Sequence, residues 1–273
     1  MKKNLLLFAF IITMSGLKAQ VKERYTLFHA VPKEKLREME TDRPDVTESP
    51  ITTDAGHLQV ETDLYRLERT NGETSFKTTQ LFNQANLKLG LTRSTAIQLV
   101  VQSYTKEKVL TDGAPERDHG FGDLTLRIKQ NLIGNDKGNF AISLLPYIKF
   151  PTASGREENS YEGGMIVPMS LKLGGKWKLG MQIELDRLQN EEAEGYHTQL
   201  LESLTASHPI FKKLDAVAET HYTFDIQSHH WNNFLNAALQ LEIMKDVKID
   251  GGLNYGIQHD AMRSYFFGLS FRL

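Results

Sequence analysis

Few residues in this 273-residue chain have types suited to catalysis, and their spacing works against it. Ser207 is followed by His208, and Ser228 by His229 and His230. A serine nucleophile needs a base within hydrogen-bond reach and a third group that orients the base. Neighbours in an extended chain point to opposite faces, so an adjacent Ser–His pair is badly placed for that role. The Ser228–His230 cluster falls in a predicted outer loop, where a solvated or metal-scavenging role suits it better. The chain has no cysteine, which removes disulfides, thiol nucleophiles and cysteine–zinc clusters. The close glycines of GFGDL (120–124) and GLNYG (252–256) are followed by no helix whose N-terminus could hold phosphate. No enzyme activity, cofactor or metal site is expected.

The other ionisable residues form a different pattern. Glu61, Asp63, Lys88, Asp123, Arg127, Lys129, Lys149, Lys172, Lys178, Glu184, Asp186, Asp215, Glu219, His221, Lys248, Asp250 and Arg272 fall within or beside segments in which apolar and polar residues alternate. Within each segment they take the polar parity. A second group, Asp42, Arg43, Asp45 and Glu48, lies in METDRPDVTESP (39–50), just before the first such segment.

The elements that hold these residues read as twelve strands. They span 57–68, 74–91, 95–105, 122–132, 139–150, 163–173, 177–187, 196–208, 214–224, 232–243, 247–257 and 264–273. In the seventh, Trp177, Leu179, Met181, Ile183 and Leu185 share one face, and Lys178, Gln182, Glu184 and Asp186 the other. The eighth is the weakest, because Glu202 shares a face with Leu200 and Leu204. Most segments run 10 to 13 residues. Strands of soluble proteins are most often about 5 or 6 residues, whereas a tilted transmembrane strand needs roughly 9 to 11. Connections alternate between tight turns such as TRS (92–94) and GGK (174–176) and longer polar loops such as KEKVLTDGAPERDHGFG (106–122). Short turns on one side and long loops on the other mark an outer-membrane barrel. The expected fold is therefore an all-β, antiparallel, up-and-down transmembrane barrel of about twelve strands.

The termini agree with this. MKKNLLLFAFIITMSGLKAQ has a positive start, an apolar run too short to span a bilayer, and small residues near Ala19. Residues 1–19 read as an export signal, 20–56 as a periplasmic segment and 57–273 as the barrel. Within the periplasmic segment, PKEKLREME could form one or two helical turns from Pro32, and Pro44 and Pro50 break any regular element. At the other end Tyr265, Phe267, Leu269, Phe271 and Leu273 alternate to the last residue. In a closed barrel the last strand pairs with the first, and an edge in hydrocarbon would leave backbone groups unsatisfied. The stretch Tyr265 to Leu273 is similar to the signal that outer-membrane assembly machinery recognises. Net charge is −2 and mean hydropathy −0.39, so no nucleic-acid partner is expected and hydropathy alone hides the membrane. Tyr222, Phe224, Trp231, Tyr255, Tyr265 and Phe266 gather at the long-loop ends, and Trp177 and Phe271 at the short-turn ends, as two aromatic girdles would.

Several stretches resemble a known family: TDRPDVTESPITTDAGHLQVE (41–61), GFGDLTLRIKQNL (120–132), LLPYIKFPTASG (144–155), GGMIVPMSL (163–171) and DGGLNYGI (250–257). They resemble bacterial outer-membrane proteins associated with the meta pathway of phenol degradation. The resemblance implies a barrel in the outer membrane of a Gram-negative bacterium, associated with uptake of small, including aromatic, compounds. It supplies no catalytic residues. The Ala19–Gln20 ending of the export signal is similar to that of Bacteroidetes proteins.

Two functions from different classes stay open on the residues. One is passive passage of small molecules through a polar lumen lined by the charges above, with outer-membrane lipid and a small solute as partners. The other is a closed structural or adhesive barrel. A barrel lipid hydrolase is a third reading, disfavoured by the Ser–His spacing. Asp42, Arg43, Asp45 and Glu48 are expected to enter the periplasmic mouth as a small plug, with Arg43 on lumen carboxylates. Pro146 and Pro168 lack ladder donors and are expected almost opposite one another, as a weak point through which an apolar solute could leave sideways.

Overall fold

In the computed structural model, residues 25–72, 75–111, 114–154, 160–190 and 195–273 are described. The expected export signal at 1–19 lies outside the described residues. The strands are β1 (Leu58–Asn71), β2 (Ser75–Gly90), β3 (Thr95–Thr111), β4 (Ala114–Gly120), β5 (Leu124–Ile133), β6 (Phe140–Phe150), β7 (Glu162–Lys172), β8 (Lys178–Gln189), β9 (Tyr196–Phe211), β10 (Leu214–Asp225), β11 (Trp231–Met244), β12 (Val247–Gly256) and β13 (Arg263–Arg272). Each pairs antiparallel with its neighbours. β1 closes on β13, from Gln59 opposite Arg272 to Arg69 opposite Arg263. β4 and β5 lie one after the other along β3, so the closed wall has twelve staves.

The two parities of each strand meet different solvents. Inward positions are polar and buried, among them Glu61, Lys88, Gln98, Lys129, Gln182 and Asp250. Outward positions are apolar and exposed, among them Ile183, Leu185, Leu204, Leu235, Leu239 and Phe267. This is the reverse of a soluble domain, and closure pairs every stave on both sides while presenting hydrocarbon side chains to lipid. Glu202 is the exception on β9. It faces outward opposite Tyr222 and is hydrogen-bonded to the tyrosine side chain.

Three expectations are corrected, and a fourth, the helical turns after Pro32, is met only in its shortest form. The stretch 106–122 is largely a hairpin, in which Thr105–Thr111 of β3 pairs with β4. PKEKLREME makes only a 3-10 turn at Lys33–Lys35, too short to be an α-helix. Phe266 does not join the girdle: it is buried on the inward face of β13 beneath Arg66, whose Cζ lies 4.8 Å from its ring centre. Pro146 and Pro168 do not face each other. Pro146 is level with Met165, and the β6–β7 ladder lapses between Leu145–Ile166 and Ile142–Met169, where Pro168 lies. On the other side of β6 the β5–β6 ladder lapses between Arg127–Tyr147 and Gln130–Leu144, where Pro146 lies. The missing donors thus interrupt two adjacent ladders. Pro146 faces out, while Pro168 is buried inside with Leu145 and Ile166.

Candidate functional site in the barrel lumen

Residues 31–55 run into the barrel from the short-turn end as an irregular strand of chain. Pro44 and Pro50 deny it a helix or a ladder, so its backbone groups need partners elsewhere. The wall supplies them. Glu61 Oε2 accepts the N–H groups of Asp42 (2.9 Å) and Arg43 (3.2 Å). Glu219 accepts those of Val46 (3.0 Å) and Thr47 (2.8 Å) and also the Thr47 hydroxyl (2.6 Å). Gln182 Oε1 accepts from Glu48 N at 2.7 Å. The carbonyls are met by donors: Gln59 on Glu40 O, Gln240 on Arg43 O, Lys129 on Ser49 O and Asn131 on Pro50 O.

Charge complementarity fixes the side chains. Acids of the segment meet cations of the wall: Glu40 meets Lys178, Asp42 meets Lys88 and Lys129, and Glu48 meets Arg127 and Lys129. Its one deep cation, Arg43, meets Asp63 and binds Asp250 with two nitrogens. A fork of this kind is the strong geometry for guanidinium and carboxylate. Gly268 makes room for it, because a Cβ there would stand 2.0 Å from Arg43 Nη2. Burial alone would raise the Asp42 carboxyl, but Lys129 and Lys88 more than offset that and hold it well below its usual range. Burial and then the Glu219 carboxylate push Asp45 up to about 8.

Both ends of the segment are tied to the barrel seam. His57 sets its ring nitrogens against Leu273 O (3.0 Å) and Val31 O (2.7 Å). Asp54 receives Arg37 Nε at 2.7 Å and Arg272 Nη1 at 3.0 Å. Gly90 passes so close that a Cβ would lie 2.1 Å from Asp54 O.

The structure brings Glu61, Asp63, Lys88, Arg127, Lys129, Glu219 and Asp250 onto the segment. Lys178 and Arg272 also meet it, at Glu40 and Asp54, and Lys172, Asp215 and Lys248 line the cavity at the short-turn end, while the remaining sequence candidates sit nearer the long-loop end. Asp186 accepts from Tyr147 Oη at 2.6 Å, Glu184 from Gln182, Lys149 pairs with Glu162 at 2.7 Å, and Asp123 accepts the N–H groups of Thr152 and Ala153. His221 stacks on Phe234 at 4.3 Å. Phe266 lies beneath the segment's own Arg43, whose Cζ is 5.6 Å from its ring centre, and Tyr147 takes Arg127 at 6.0 Å. Alternation puts Gln182, Asn236 and Gln240 on the polar faces of their segments, but a choice of candidates by charge leaves out these neutral partners together with Gln59 and Ser203. A cavity of about 520 Å³ remains between the segment and β7–β12, lined by Glu40, Asp45, Lys172, Lys178, His208 and Asp215 among others. Ser207 and His208 do not form a catalytic pair: the His208 ring lies 4.6 Å from Trp177 and its Nε2 contacts Gly175 O. His230 lies 3.3 Å from Asp260, and His229 bonds Ile226 O.

A closed wall of twelve staves, oily outside and polar within, defines a transmembrane β-barrel of the Gram-negative outer membrane. Residues 41–273 match the family model described as "Putative MetA-pathway of phenol degradation", and the chain belongs to that family. The fold is similar to an outer membrane channel from Pseudomonas putida F1, with a TM-score of 0.60 and 13% identity over 85% of this chain and 98% of that one. It is also similar to the NanC porin (TM-score 0.51, 12% identity, 78% of this chain, 100% of that one). The translocator domain of the autotransporter NalP from Neisseria meningitidis gives 0.51 and 11%, over 80% of this chain and 88% of that one. At such identities the likeness is one of fold. No curated protein sequence matches the chain.

Proposed function

We propose that the protein is a channel for passive passage of small molecules across the outer membrane, with residues 31–55 as its constriction. The observation that carries the reading is the meeting of two surfaces. Rings of Tyr147, His221, Phe234 and Phe266 stand among Arg66, Arg127 and Asp186 on the outer side of the segment, and the 520 Å³ cavity opens on its inner side. Aromatic faces beside fixed charges suit small aromatic solutes with a polar group, in keeping with the family's association with phenol degradation. The wall candidates Glu61, Asp63, Lys88, Arg127, Lys129, Glu219 and Asp250 act by holding the segment, and Asp42, Arg43, Asp45 and Glu48 are its plug residues.

The density of bonds between segment and wall favours a second reading, a barrel permanently closed and structural. Planar-bilayer conductance separates the two. Removal of residues 21–50, with folding checked by heat-modifiable migration, raises conductance several-fold if the segment constricts a pore. Unchanged conductance overturns the constriction. Liposome swelling with sugars, amino acids and phenols tests passage in the full chain, and no swelling with any of them favours the closed barrel. Phospholipid hydrolysis by purified protein would instead revive the hydrolase reading.

A further inference from the structure

On the long-loop side, β13 and β1–β4 sort their charges by face. Register sets Arg263 opposite Arg69, Arg69 opposite Thr78, Thr78 opposite Lys108 and Lys108 opposite Arg117. Directly opposed residues share a face, so four cations and a threonine form one row across five strands. One row nearer the membrane, Lys106 lies between Gln80 and His119, its Nζ 5.7 Å from the Phe82 ring centre and 5.8 Å from that of Tyr104. One row further down, Tyr65, Phe82 and Tyr104 tilt against each other at 5.3 and 6.1 Å. Tyr65 is exposed, as is its β13 neighbour Phe267, which places the whole face outside the barrel.

The acids take the other parity. Ser264, Glu68, Thr79, Glu107 and Asp118 form the alternate row, and Ser264 and Thr79 are buried toward the lumen. Glu107 there pairs with Lys77 at 2.9 Å. The outward face therefore carries cations without matching carboxylates in its rows.

Aromatic rows mark the headgroup level, and cations just above them meet whatever anionic groups the leaflet offers. With strands about 4.8 Å apart, the row from Arg263 to Arg117 is about 19 Å long. That exceeds what one phosphodiester needs and suits a disaccharide with a phosphate at each end. Thr78 and Gln80 between the cations can bond its hydroxyls. We propose that this face binds the phosphorylated disaccharide headgroup of an outer-leaflet glycolipid, holding the β1–β4 wall upright in the leaflet.

The test uses the full chain in detergent with three probes: bisphosphorylated lipid A, monophosphorylated lipid A and phosphatidylglycerol, each quantified by native mass spectrometry. The combined variant Arg69→Gln, Lys108→Gln, Arg117→Gln, Arg263→Gln should bind bisphosphorylated lipid A at least about 10-fold more weakly than wild type. Lys212→Gln with Lys213→Gln, at the opposite rim, should leave binding unchanged. Wild type should prefer two phosphates to one, and both to phosphatidylglycerol. Equal lipid A binding by wild type and the combined variant overturns the proposal. So does equal binding of phosphatidylglycerol and lipid A by wild type, which would mean unspecific attraction to anionic lipid. Should the combined variant not fold, Lys108→Gln with Arg117→Gln on the projecting hairpin reads the same comparison.

Discussion

Arg43 reaches Asp250 from 207 residues away in the chain, with Nη2 2.6 Å from Oδ1 and Nε 3.1 Å from Oδ2. A third nitrogen binds Asp63, so one guanidinium joins β1 to β12 through the segment. Arg43→Ala would leave Asp250 facing a void while Asp63 keeps Arg66 at 2.8 Å, and a buried pair that loses one partner typically costs about 3–5 kcal/mol. We expect raised single-channel conductance and an earlier denaturation midpoint. Arg43→Lys keeps the charge but cannot fork, so it should fall between the two. Wild-type conductance in Arg43→Ala would show that the backbone bonds to Glu61 and Glu219 suffice.

Gly268→Ala probes the same contact from the wall. The added Cβ would lie 2.0 Å from Nη2 and 2.4 Å from Cζ of Arg43, so the guanidinium must leave Asp250. The β13 ladder itself is not obstructed. The expected phenotype is that of Arg43→Ala with the barrel intact, and the double variant should add little to either single change. Additive effects would place Gly268 outside this contact.

Asp45 makes the seat of the segment sensitive to alkali. Its carboxyl titrates at about 8, against an ordinary value of 3.8. The native protein thus binds this proton more tightly than the unfolded chain, and stability falls as pH rises from about 4 to 8, then levels off. Ionised Asp45 also repels Glu219, which holds Val46 and Thr47. Conductance of the wild type should rise between pH 6 and 9, and Asp45→Asn should remove most of that rise. A slope unchanged in Asp45→Asn assigns the titration elsewhere.

The two interrupted ladders beside β6 allow a test of sideways exit. Pro146→Val with Pro168→Val restores two donors, each bond contributing about 1 kcal/mol. If apolar solute leaves the lumen between β5 and β7, uptake of a phenol into lipid vesicles should slow several-fold while conductance to ions stays the same. Unaltered uptake would leave the prolines a role in wall curvature only.

The wall could be read from the chain because hydrocarbon outside and water inside impose opposite demands on alternate residues. The seventh segment shows this most clearly: Ile183 and Leu185 face out, while Gln182 and Asp186 are buried within. That rule gives the face of a residue but not its bearing around the cylinder, so the pairing of Arg127 with Glu48, or Lys178 with Glu40, needs the closed structure. It also fails where both faces meet water. Beyond Thr105 the hairpin has no oily parity, and 106–122 therefore reads as a loop, although its charges still alternate in sign by face. Phe266 misled by type: an aromatic near the rim suggests lipid, but its parity matches that of Gly268 and Ser270, and its ring serves Arg66 inside.

The seam between first and last strand also dictates an order of events. Gly268, Arg272 and Leu273, on the β13 side, meet Arg43, Asp54 and His57, which precede or adjoin β1. Those three contacts have no counterpart until the cylinder has shut, so the seating of the inner segment is complete only with closure. A chain shortened by its final six residues would lose the partner positions of all three at once, and any barrel it still formed would be born leaky.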